Sequence, residues 1–113
     1  MKRTKLLAMV MTTAIAATGA VCAANAEGIP AEDLKVGAIY IGDENEGYTA
    51  AHMAGIDEMM EKFGLDESQV IEKTLIGEDE TCYDAAADLA DQGCQIIFGT
   101  SFGHETYLIQ AAG

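Results

Sequence analysis

The chain has 113 residues, enough for one small domain, and half of them are apolar. It holds 19 Asp and Glu against 6 Lys and Arg, a formal charge of −13. A surface of that sign repels phosphate backbones and anionic headgroups, which excludes nucleic acids and anionic lipid as partners.

Three of the bases, Lys2, Arg3 and Lys5, stand ahead of an apolar run over 6–20. That is the order of a secretory signal peptide. The run is shorter than the roughly 20 apolar residues a spanning helix needs. Ala24-Asn25-Ala26 offers a cleavage site before Glu27, so residues 1–26 read as a leader. Cys22 offers a lipid-attachment site instead, though Val21 stands where Gly, Ala or Ser usually precedes such a cysteine. The protein is therefore expected outside the cytoplasm, in the periplasm or on the outer face of a bacterial membrane. Any membrane tether of its own would be a lipid on Cys22.

Residues 27–34 contain the single proline and read as a linker. The run KVGAIYI over 35–41 is apolar almost throughout, as suits a strand buried on both faces of a parallel sheet. A helix is predicted over 49–63, with Met53, Ile56, Met60 and Phe63 on one stripe and Gly64 as the stop. A second strand is predicted over 70–76. Thr81 to Asp84 resembles a capping box opening a helix to Gln92, with Ala86, Leu89 and Ala90 buried. A third strand over 95–99 and a helix over 105–112 complete the order β-α-β-α-β-α. Such alternation predicts an α/β layered fold around a parallel sheet. Doubly wound sheets normally have five or six strands, so residues 35–113 read as part of one lobe of a longer protein. Cys82 and Cys94 lie at opposite ends of one predicted helix, too far apart for a disulfide, and read as small buried hydrophobes.

Open α/β sheets bind ligands outside the carboxyl ends of their strands. Here those ends are loops 42–48, 77–80 and 100–104. They carry Asp43, Glu44, Glu46, Glu78, Asp79 and Glu80, with Glu105 just beyond. A phosphate would be repelled, and there is no G-x-G-x-x-G, so a nucleotide-binding reading fails. Carboxylates in such a mouth suit a neutral polyol or a cation, and Tyr48 and Phe102 offer flat surfaces for a ring. The bland alternative is that the acids are solvated or cap helices and the aromatics cover the core. His52 and His104 read as structural or exposed. No metal-ligand spacing and no nucleophile motif is present.

The stretches KVGAIYIGDENEGYTAAHMAGIDEM and ADLADQGCQIIFGTSFGHETYLIQAA resemble the basic membrane protein family, the PnrA-like solute-binding components of ABC transporters. The resemblance spans residues 34–112. Its most specific pieces are the G-D-x-x-x-G-Y-T-x-A-H turn and I-I-F-G-T-S-F-G. It implies a type I periplasmic-binding-protein fold, two lobes closing on a purine nucleoside or base, and delivery to permease subunits, with no catalysis and no cofactor. By position, Tyr48 matches a base-stacking aromatic. Asp43 and Glu46 fall in a loop of polar contacts, Ser101 and Phe102 in the stretch facing the ligand, and Glu105 near a downstream carboxylate. A sugar or autoinducer binder, or a sensor domain, of the same fold is the alternative.

Overall fold

The computed structural model describes residues 28–113; the leader, its cleavage site and Cys22 lie outside the described residues. Its centre is a parallel sheet of three strands, β1 (Val36–Ile39), β2 (Val70–Lys73) and β3 (Ile96–Gly99), in the order β2-β1-β3. Val36 is in register with Val70 on one side and Ile96 on the other. The first strand is central and every one of its residues is buried, as its unbroken apolar run predicts.

Side chains alternate across that strand. Ala38 and Tyr40 face α1 (Gly47–Phe63), packing on Ile56 with Met53, Met59, Met60 and Val70 around them. Ile39 points the other way, onto Cys82, Ala85, Ala86 and Leu89 of α2 (Glu80–Asp91). Tyr107, Leu108 and Ala111 of α3 (Glu105–Ala112) extend that second cluster. One helix on one face and two on the other make the three-layer α/β unit the sequence predicts.

Element ends depart from expectation in informative ways. The stripe on α1 stops short: Phe63 is 56% exposed, although the sequence places it with Met53, Ile56 and Met60. A helix of 17 residues is about 25 Å long, whereas strands of 4 residues span about 13 Å. The last turn has no sheet beneath it. The helix stops at Gly64, in the left-handed region at φ 66°, and the Gly64 and Leu65 amides return to the carbonyls of Glu61 and Met60. The cap of α2 is Asp79, which accepts from the Thr81 amide at 3.0 Å, and not Thr81 itself. Its buried face is Cys82, Ala85, Ala86 and Leu89, while Ala90 is exposed. Cys82 and Cys94 are both free thiols packed on that cluster.

Long-range ties hold the start of the domain. Residues 31–33 form a short 3-10 turn rather than an open linker, and the Gln69 side-chain amide donates to the carbonyls of Ala31 and Leu34, each at 2.8 Å. Lys73 pairs with Asp88 at 2.6 Å, joining β2 to α2. No helix among the described residues is long and apolar enough to cross a membrane.

Candidate functional site

All three strands point the same way, so their carboxyl-end loops meet at one edge of the sheet, and side chains from each loop bond across to the next. In the first loop the Asp43 carboxylate accepts from the Asn45 amide at 2.9 Å, closing a local turn. Glu46 is the N-cap of α1. One of its oxygens accepts from the Tyr48 amide and the other from the Thr49 amide, both at 2.8 Å. Those amides, Thr49's first, hold its carboxyl below the ordinary value. The Gly42 amide donates to the buried Thr49 hydroxyl at 3.1 Å, which folds the loop back on the helix it starts.

The third loop is secured from several directions. The Thr100 hydroxyl donates to the Ile39 carbonyl at 2.9 Å. The Tyr48 hydroxyl donates to the Thr100 carbonyl, linking the first loop to the third. The Ser101 hydroxyl and the Gly103 amide both donate to one oxygen of Glu78, the latter at 3.0 Å. These bonds, the Ser101 hydroxyl's foremost, hold the Glu78 carboxyl below its usual value. A short 3-10 turn over Phe102–His104 then leads into α3. His104 is fully buried; its Nε2–H donates to the Ile76 carbonyl at 3.0 Å, and Nδ1 has no partner. The Cys82 thiol donates weakly to the His104 carbonyl at 3.8 Å.

The residues singled out from the sequence therefore separate. Tyr48 reaches the third loop through its hydroxyl bond to the Thr100 carbonyl, while Ser101, next in that loop, bonds Glu78 of the second loop and Phe102 follows it. Tyr48 is 52% exposed, with one ring edge against His52 at 4.7 Å between centroids. Phe102 is 91% exposed. Neither aromatic is a lid on the core. Glu46 stands at the same mouth, but both its oxygens are engaged by the helix it caps. Asp43 bonds within its own turn, and Glu105 lies exposed in the first turn of α3, beyond the loop crossing. Glu78, Thr49 and Thr100 hold the loops together, and sequence reasoning did not distinguish them. Glu78 counted only as one loop acid among several, because its partners are 23 and 25 residues away.

Beside the mouth, between α1 and β3, runs an apolar groove of about 380 Å³ lined by His52, Gly55, Ile56, Met59, Phe98 and Thr100. Among the described residues no cluster of three or more His, Cys, Asp or Glu is arranged to hold a metal ion. No protein-family model matches the sequence, and no curated protein matches it.

Proposed function

We propose that this chain is part of the ligand-gripping lobe of an exported solute-binding protein that serves an ABC permease, and that its ligand is a purine nucleoside or base. The observation that carries the reading is the pair of exposed aromatics, Tyr48 in the first turn of α1 and Phe102 on the third loop, at the carboxyl ends of parallel strands and rimmed by carboxylates. A nucleoside is neutral, carries a flat ring, and donates hydrogen bonds from ribose hydroxyls and ring nitrogens. Aromatic faces and carboxylate acceptors complement each of those features. The motif resemblance noted in the sequence supports the same ligand class and the same transport role, in which the ligand is handed on unchanged.

Calorimetric titration with inosine, guanosine and adenosine tests the reading on the protein that carries this chain. Binding is expected in the parent. Tyr48→Ala is expected to weaken it about tenfold to a hundredfold, the worth of one lost aromatic–base stack. Tyr48→Phe retains the ring but releases the Thr100 carbonyl, so an intermediate loss is expected. A parent that binds no nucleoside but binds a free sugar would move the assignment to a sugar carrier of the same fold. Undiminished binding by Tyr48→Ala would remove Tyr48 from the site.

A further inference from the structure

Phe102 is the most exposed large hydrophobic side chain among the described residues, yet its backbone is tightly held. The residue before it bonds Glu78 through a hydroxyl, the residue after it bonds the same Glu78 oxygen through an amide, and the carbonyl of Thr100 receives the Tyr48 hydroxyl. Gly103 is what permits this seat: a Cβ there would overlap the Glu78 side chain, with its Cβ and Cγ at 2.6 Å. The backbone that carries this unpacked ring, strapped on both sides, is already fixed before anything meets it. Preorganisation of that kind raises affinity by reducing what must be ordered on binding.

We infer that Glu78 is a positioning residue: it straps residues 101–103 so that Phe102, on the loop to which Tyr48 is bonded, is presented as a second flat surface for a planar ring ligand. This rests on the reading of these loops as a ligand mouth. Glu78 acts through the loop, not as a charge on the ligand. An amide oxygen at the same place accepts both hydrogen bonds as well, so Gln serves in its stead and Ala does not.

The strap is tested without any ligand by amide hydrogen exchange at Gly103 in the protein that carries this chain. Protection is expected in the parent and in Glu78→Gln, and its loss in Glu78→Ala. Inosine titration then reads the consequence. Glu78→Ala should bind about tenfold more weakly, by analogy with the loss when the outer partner that orients a metal ligand is removed. Glu78→Gln should stay within about threefold of the parent. Phe102→Ala should lose affinity, and adding Glu78→Ala to it should cost little more, because both act through one ring. Equal Gly103 protection in Glu78→Ala overturns the strap. Full loss of affinity in Glu78→Gln, or additive losses in the double variant, overturns the positioning role in favour of direct contact. Undiminished binding by Glu78→Ala with Gly103 unprotected shows that the loop's order does not matter to the ligand. A parent that binds no nucleoside ends the ligand reading and the presented-ring role with it, while the exchange result still decides whether the strap exists.

Discussion

Tyr40 lies wholly buried beneath α1, and its hydroxyl has no hydrogen-bond partner in good geometry. Burial above all, then the nearby charges of Glu72 and Asp57, pushes the phenol far above its ordinary pKa. The ring contributes to the core; the hydroxyl contributes a desolvated polar group. An orphaned buried polar group costs about 1–3 kcal/mol. Tyr40→Phe keeps the ring's packing and removes the orphan, so it is expected to stabilise the domain by about 1 kcal/mol in a urea or thermal unfolding curve. A destabilisation of similar size would show that the hydroxyl is tied to the Glu72 carboxylate in solution.

Both long helices begin on a carboxylate, Glu46 for α1 and Asp79 for α2, each held below its ordinary pKa by the donors it caps. For Glu46 the backbone amides of Thr49 and Tyr48 are the main cause; for Asp79 it is the Thr81 hydroxyl, then the Thr81 amide. A depressed carboxylate binds fewer protons folded than unfolded. Its stabilisation is therefore complete above the unfolded value, 4.5 for Glu46, and is lost as pH falls through the lower folded value. Glu72, raised by burial and by Asp57, acts in the opposite sense: its folded form holds the proton longer, so its contribution falls as pH rises above 4.5. Thermal melts of the parent and of Glu46→Ala, followed by circular dichroism from pH 7 down to about pH 3, should converge as acidity removes the cap from the parent alone. Parallel curves would mean that Glu46 does not cap α1.

The helices and strands were legible in the sequence because their signals are local. An unbroken apolar run marks β1, a 3.6-residue stripe marks α1, and glycines mark the stops. What escaped was set by distance or by competition. Phe63 fits its stripe, but the sheet ends before reaching it. Thr81 resembles a cap, yet Asp79, two residues earlier, is the stronger one. At the mouth, Tyr48 and Phe102 could be named from position alone. The choice of Glu78 over Glu80 as the loop tie could not, since it depends on how loops 77–80 and 100–104 cross.

Across the whole molecule, the two sheet edges are unequal. The β2 edge carries Glu72 and Lys73, and charge there discourages pairing with a second sheet. The β3 edge reads Ile-Ile-Phe-Gly, and Ile96 and Phe98 remain 43% and 39% exposed because α1 lies over β1 and β2 and leaves them bare. The apolar groove runs along the same side. An open, uncharged, apolar edge is a template for association. Against it stands the acidic surface, whose like-charge repulsion between copies reaches about 10 Å at 0.1 M salt and about 3 Å at 1 M. Charge and apolar edge thus oppose each other, and salt weakens only the first. Residues 28–113 expressed alone are expected to be monomeric at low ionic strength and to associate as salt is raised, read as weight-average mass in sedimentation or light scattering. Phe98→Lys puts a charge on the edge and should hold the mass at the monomer value throughout. A parent that stays monomeric at 1 M salt would show that the edge is self-protected. Association that persists in Phe98→Lys would place the contact elsewhere, with the exposed Phe63 or Phe102 the next to substitute.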